Sequence, residues 1–391
     1  MTKIKLLVGS YWLAVVALFL YSFTQVDLSL TLARASIFQS VEKWFQYIGY
    51  FNRPLSTVLF LIILALLFAF YIKFLLLAGK NKLSKKVFWI VVLVTSGILV
   101  FSYNAFSYDL FNYIFDAKII THYHQNPYLH KALDFPGDPM LSFMHWTHRV
   151  YPYGPSWLAI TVPLSFIGMQ FFLPTLMLFK LMIVGSFIGS VYFIGKILDK
   201  ISPKNSVFGM VFFALNPLVL IESTVSAHND IVMFFLALAA LYFLITKRHA
   251  ISGIFLLLSI GIKFATGFLL PVFAYIWYFQ KKGKTINWDK VFLGAVALMT
   301  LAVFAASYRT TFQPWYILYI LPFVALVPKK FIVIPSVILS FGVLLEYVPY
   351  LYLGNYDAPV PAMLFWITFG TILISIATAG VWYAKLRIAK R

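Results

Sequence analysis

Apolar stretches of nearly membrane-crossing length recur from one end of the chain to the other, separated by short connections in which lysine and arginine collect. Matching each stretch to the roughly 20 residues a helix needs to span hydrocarbon predicts about twelve crossings. They run from Leu6 to Phe23, Leu55 to Leu77, Val87 to Tyr103, Leu173 to Ile194, Val207 to Ile221, Ile231 to Ile245, Ile251 to Lys263, Ala265 to Phe279, Val291 to Ala306, Pro314 to Val327, Phe331 to Val348 and Pro361 to Tyr383. The two that meet at Lys263 and Ala265 are short. The apolar segment Trp157 to Phe172 does not fit as a crossing, because it would move Lys196 to Lys204 to the other side; it reads as a re-entrant or interfacial helix. The expected fold class is therefore all-α, a single polytopic membrane domain over residues 1–391.

Composition agrees: 62% of residues are hydrophobic and only 11% charged, which is the membrane class rather than a soluble core. Alternate connections hold Lys3 and Lys5, then Lys80 to Lys86, Lys196 to Lys204, Lys247 and Arg248, Lys281 to Lys284, Lys329 and Lys330, and the tail from Lys385 to Arg391. That threading places about two-thirds of the basic residues in the cytoplasm and predicts that both termini lie there. The net charge of +19 is thus mostly topology, and nucleic acid is excluded as the partner it would otherwise suggest. Ala33 and Ala35 form a cleavage-site-like pair but lie too far beyond the first apolar run, so an uncleaved anchor is expected. Cysteine is absent, so no disulfide framework exists, and the two halves show no internal repeat of the kind many secondary transporters carry.

Polar residues gather elsewhere. The longest external connection, residues 104–155, holds Asp109, Asp116, Asp134 and Asp138 together with His122, His124, His130, His145 and His148. Within it Asp109, Asn112, Tyr113 and Asp116 follow i, i+3, i+4, i+7 spacing. A helix there would turn them to one face and Leu110, Phe111, Ile114 and Phe115 to the other, lying in the interface with carboxylates toward water and hydrocarbon toward lipid. For Asp116 a plain solvated face is an equal reading. A second external point, Glu222 to Asp230, clusters Glu222, His228, Asn229 and Asp230 at one helix-helix turn, where Asp230 alternatively caps the next helix. No ligand spacing there demands a metal, and no cofactor is called for. Arg149, Lys180, Lys263 and Arg309 fall at or near the same face; Lys180 and Lys263 sit in apolar surroundings and need an anion, for which a phosphate would serve.

The segments SYDLFNYIFDAK, NPY, YPYGPSW, NPLVLIESTVSAHND, GIKFATGFLLP and PWYILYILP occur in the order found in multispanning GT-C glycosyltransferases, and the chain resembles the polyprenyl-phosphate-mannose-dependent mannosyltransferases over Tyr103 to Pro328. The resemblance implies transfer of a hexose, mannose by that likeness, from a polyprenyl-phosphate sugar donor to a glycan or glycolipid acceptor at the external face of the lipid bilayer, with inversion. It makes Asp109, at the head of the first large external loop, the acidic catalytic residue. The two crossings within residues 1–85 depart from the simplest pattern, and their role stays open.

The chemistry of the residues is compatible. A sugar hydroxyl is too weak an acid to attack unaided, so Asp109 is the candidate general base. The departing phosphate gains charge, and Lys263, Arg309, Lys180 and Arg149 are candidates to meet it. Asp116, Glu222, His228, Asn229 and Asp230 would hold sugar hydroxyls, and Tyr113 and Tyr153 would stack on a sugar ring. A secondary transporter or a lipid-linked sugar flippase remains the alternative, although a transporter places its carboxylates near the midplane rather than at one face.

Overall fold

The computed structural model describes residues 2–388. It is 76% helical with no strand among the described residues. In chain order the helices are α1 (Thr2–Ser22), α2 (Ser36–Gln46), α3 (Arg53–Gly79), α4 (Lys85–Leu99), α5 (Asp109–Thr121), α6 (Pro155–Ile167), α7 (Phe172–Ile201), α8 (Ser206–Ala214) and α9 (Pro217–Leu220). They continue as α10 (Asp230–Ile245), α11 (His249–Ile260), α12 (Leu270–Lys281), α13 (Trp288–Arg309), α14 (Leu321–Ala325), α15 (Lys330–Leu344), α16 (Tyr347–Leu353) and α17 (Val360–Ile388).

Among the described residues six helical segments are long and apolar enough to cross a membrane: α1, α3, α7, α13, α15 with α16, and α17. The count becomes seven if α8 and α9, bent by 56°, form one broken span. The other apolar runs behind the expected twelve are helical but short. α4 has 15 residues, α10 has 16, and α11 and α12 have 12 each. Local breaks explain the shortfall: Gly261 to Lys263 interrupts α11 and α12 ahead of a 3-10 turn, and Pro314 opens another 3-10 turn before α14. The segment expected to be re-entrant or interfacial forms α6, 13 residues long, which turns into α7 through Met169 and Gln170 in the left-handed region.

At the α8/α9 break, Asn216 caps α9, accepting from the Leu218 N–H at 3.0 Å while its amide donates to Ser340 at 3.0 Å. Pro217 at the start of α9 lacks the N–H that a continuous helix would use. One of the carbonyls near the break, Phe212, accepts instead from the Tyr71 hydroxyl at 2.9 Å. Such side-chain rescue is what allows a broken helix inside a membrane.

α10 is apolar all round and buried nearly throughout, packed between α7 and α11, and forms the centre of the bundle. α17 lies at the periphery against α15, with a largely exposed apolar surface that suits lipid. Two ends of the bundle differ in chemistry. Lys85 at the start of α4 pairs with Asp199 near the end of α7 at 2.7 Å, and Lys329 pairs with Asp289, so the basic connections meet at one end. The opposite end of α4 leads into the loop 104–155, and that end of α7, reached from the loop through α6, lies beside the turn before α10, where Lys180 bonds Thr224 and Val225.

Candidate active site

Three strands of chain converge at that second end. The first is α5. Ser107 turns the chain into it, its hydroxyl accepting from the Asp109 N–H at 3.1 Å, and Asp109 in the first turn suits the positive end of the helix dipole. The predicted helix therefore forms, but its apolar face is covered by protein. Leu110, Phe111, Ile114 and Phe115 are all buried against other protein segments rather than turned to lipid, because the loop 131–153 and α6 and α7 close over them. The loop carboxylates beyond α5 are structural: Asp138 pairs with Lys118 and accepts from the Tyr123 hydroxyl, and Asp134 caps a short turn beside His130.

The second strand is the turn from Glu222 to Asp230. α9 widens into a π-helical turn over Ile221–Val225, a geometry often found at functional sites. Ala227, at φ 58°, bends the chain sharply, and the His228 N–H returns to the Glu222 carbonyl at 3.0 Å. His228 is thereby set between two carboxylates, its Nδ1 3.6 Å from Asp109 and its Nε2 3.3 Å from Glu222. Trp315 stacks on the imidazole with ring centres 4.2 Å apart, and the Tyr347 hydroxyl donates to Glu222 at 2.8 Å. Both amide ends of Asn229 lack a side-chain partner, although its N–H approaches the Tyr113 hydroxyl at 3.5 Å. Buried, incompletely paired polar groups at this density are unusual in a native interior and mark a place kept for something other than stability.

The third strand is the break after α11. The backbones of Gly154 and Gly261 press together: a Cβ on Gly154 would come within 2.3 Å of the Gly261 carbonyl oxygen. The Gly154 N–H bonds the Ile262 carbonyl at 3.0 Å and the Ser156 N–H bonds that of Gly261 at 2.9 Å. This contact sets YPYGPSW against GIK, so that the Lys263 ammonium lies over the Tyr153 ring at 5.4 Å and pairs with Asp230 at 2.8 Å.

Charge is distributed unevenly across the site. Burial would raise the Asp109 carboxyl, but His228, Lys263 and Tyr113 outweigh it and hold Asp109 below the ordinary carboxylate range. Burial would likewise lower His228, yet Asp109 and Glu222 together push it up to about 9. Asp116 has no such partners; burial, reinforced by Asp109, raises it to about 8. Near neutral pH the site thus carries an ionised Asp109, a protonated His228 and a largely neutral Asp116.

The structure brings together Asp109, Tyr113, Tyr153, Glu222, His228, Asn229, Asp230 and Lys263. It separates others. Lys180, expected to meet the phosphate, is fully buried, and its ammonium donates to the Thr224 carbonyl at 2.6 Å, the Val225 carbonyl at 3.1 Å and the Ser102 hydroxyl at 3.1 Å. Arg149 is exposed and stacks on Trp146 at 4.3 Å. Arg309 is exposed at the end of α13 and forms no ion pair with a described residue. Glu222, His228, Asn229 and Asp230, expected to meet sugar, are sealed from the surface, whereas the Asp109 side chain is 18% exposed. Asp230 is the first residue of α10, but its carboxylate is engaged by Lys263 and makes no capping bond. Tyr113 is also sealed, edge-on to Tyr153 and Trp157. Among the described residues no group of three or more His, Asp or Glu side chains is arranged to hold a metal. Sequence reasoning passed over Trp315 and Tyr347; Trp315 lies inside PWYILYILP, but nothing local distinguishes Tyr347 from other membrane-border tyrosines.

Compared with known proteins, residues 8–279 match the family described as alpha-(1->6)-mannopyranosyltransferase, N-terminal domain. No curated protein and no solved structure matches the chain.

Proposed function

The chain belongs to the alpha-(1->6)-mannopyranosyltransferase N-terminal domain family and is a membrane mannosyltransferase, and on that premise we propose a polyprenyl-phosphate mannose as its donor, a glycan or glycolipid as its acceptor, and Asp109 as its general base. In this reading the acceptor hydroxyl attacks the anomeric carbon as the bond to the phosphate oxygen breaks. The hydroxyl proton passes to Asp109, and the lipid phosphate leaves with the bonding electrons. Attack opposite the leaving group inverts the centre, so an α-linked product requires a β-linked donor.

One observation carries the reading: Asp109 is the carboxylate of this cluster that reaches the surface, and it is held ionised by His228 and Lys263. A base must be both accessible and unprotonated. Lys263, at the rim over Tyr153, is the cation best placed for the leaving phosphate, with Arg309 and Arg149 as outer contributors. A phosphate there competes with Asp230 for Lys263 and draws its charge from Asp109, making the base stronger when donor is bound. Glu222 and His228, instead of touching sugar, orient Asp109 from below, while Tyr153, partly exposed, remains available to a sugar ring face. The basic end of the bundle is assigned to the cytoplasm with both termini, which sets this site on the external face of the cell membrane.

The test is transfer from labelled polyprenyl-phosphate mannose by purified protein, with the anomeric configuration of the product determined. Absence of mannose release, with solute uptake into proteoliposomes instead, would sink the proposal in favour of a transporter.

His228 also gives a prediction in pH. Because the Asp109 pKa is depressed in the free protein, the acid limb of kcat/KM should lie below the ordinary Asp value of about 3.9. His228→Asn removes the neighbour that lowers it most and leaves the burial that raises it, so the limb should move to higher pH. A pH–kcat/KM profile of the two proteins checks this; superimposable limbs would show that His228 does not act on the base.

A further inference from the structure

Beside Asp109, on the same end of the bundle, residues from opposite ends of the chain form a polar, aromatic basin that the transfer chemistry above does not use. Asp27 follows α1, and its carboxylate accepts from the Tyr108 hydroxyl at 3.3 Å and the Ser29 N–H at 2.9 Å. Tyr108 immediately precedes Asp109 and stacks flat on His145, ring centres 3.8 Å apart and planes within 8°. His145 is fixed there by Asn112 of α5, whose amide donates to its carbonyl at 2.8 Å. Arg53, at the start of α3, lies over the Tyr50 ring at 5.6 Å and against Gly354, where a Cβ would meet the guanidinium at 2.3 Å. Tyr350 of α16 stacks on Tyr356 with centres 4.7 Å apart.

Two features set this basin apart from ordinary surface. The Tyr50 hydroxyl donates to the Gln25 carbonyl at 3.3 Å, two residues before Asp27, and Arg53 lies over the same Tyr50 ring, yet Asp27 and Arg53 form no ion pair with each other. Nor does Arg53 pair with any other described carboxylate. A guanidinium is a strong donor to anions and hydroxyls, and Arg53, half-buried and without a carboxylate partner among the described residues, leaves N–H donors available in the same region as the Asp27 acceptor. The rings around them, Tyr50, Tyr108, His145 and Tyr350, are half-buried or exposed. Aromatic faces for the C–H side of a pyranose, with a charged donor and acceptor for its hydroxyls, are the chemistry of a carbohydrate subsite.

We propose that Asp27, Tyr50, Arg53, Tyr108, His145 and Tyr350 form the platform that binds a mannose chain of the acceptor and delivers its terminal hydroxyl to Asp109. This rests on the mannosyltransferase reading for the final step, but glycan binding itself does not. The N-terminal helices thereby acquire a role, since Asp27 directly after α1 and Arg53 of α3 supply two of the contacts. Tyr108 joins platform to base, since the two residues are consecutive and the chain between them is pinned by Ser107.

Full-length protein in detergent, with octyl alpha-(1->6)-linked mannooligosaccharides as acceptor probes, tests it by equilibrium binding and by steady-state kinetics. Arg53→Gln and Tyr350→Ala are each expected to weaken binding of an octyl tetramannoside and raise its KM by about tenfold. The donor KM and kcat at saturating acceptor should stay near wild type, and an octyl monomannoside should be affected less. Tyr350→Phe, which keeps the ring, should retain most affinity, and Asp27→Asn offers a second variant should Tyr350→Ala fold poorly. Unchanged tetramannoside binding in Arg53→Gln overturns the platform whether or not the wild type transfers mannose. A rise in donor KM in place of acceptor KM also overturns it, in favour of a phosphate site. If the wild type binds the glycan and the variants lose it while no transfer occurs, the platform stands and the transferase mechanism falls.

Discussion

Asp109→Asn should abolish turnover while leaving donor binding close to that of the wild type. The substitution keeps the shape of the side chain and the N–H at the start of α5, so the Tyr113 hydroxyl at 3.5 Å and His228 at 3.6 Å retain a neighbour of the same size. What it removes is the ability to take a proton from the attacking hydroxyl. General-base contributions are typically worth about two to four orders of magnitude in rate, and kcat is expected to fall within that range. Lys263 is untouched, so affinity for a lipid phosphate should persist. Measuring kcat and donor Kd on the same preparation separates the two. Turnover near the wild-type rate would remove Asp109 from the chemistry, whatever its position.

The largest loss of stability is expected from Lys180→Met, a change that nearly preserves volume but deletes every donor. In the structure the Lys180 ammonium is the peg that holds the π-helical turn: it ties the carbonyls of Thr224 and Val225 to Ser102 at the end of α4. Hydrogen bonds from a charged donor contribute more than neutral ones, and two buried carbonyls would lose this partner, so a loss of about 3 kcal/mol is expected. Thermal or denaturant unfolding in detergent reads it. Because that turn presents Glu222 and His228 to Asp109, kcat should fall as well, but the donor KM of the folded protein should not rise. A raised donor KM with unaltered stability would return Lys180 to the role of phosphate ligand.

The contrast between Lys180 and Lys263 shows where reading the chain reached its limit. Both lie in apolar runs and both demand a counter-group on the same solvation argument. For Lys180 the demand is met by backbone carbonyls at separations of 44 and 45 residues; for Lys263 it is met by a carboxylate 33 residues away, at a rim that remains 17% open. The demand is a property of the residue, while the answer depends on which segment is brought alongside.

Crossing number divided the same way. Apolar runs were visible one by one, but a run that becomes α10, sheathed by protein, cannot be told by hydropathy alone from one that faces lipid like α17. The apolar side of α5 was assigned to lipid for the same reason: amphipathic spacing says that a face is covered, not by what.

Membrane class, helical content, the amphipathic turn that begins at Asp109 and the gathering of acidic and histidine side chains at one end were determined by the sequence alone. Each follows from hydropathy, periodicity or charge within a window of a few turns, so no distant residue is needed to decide it. The assembly of the site was decided only by tertiary structure. His228 between Asp109 and Glu222, Tyr347 on Glu222 from 125 residues away, and Tyr153 under Lys263 through the Gly154–Gly261 contact all depend on close packing between segments far apart in the chain. Asp109 illustrates both halves: its place at the head of α5 was legible, but its charge state is set by neighbours that only the folded bundle supplies.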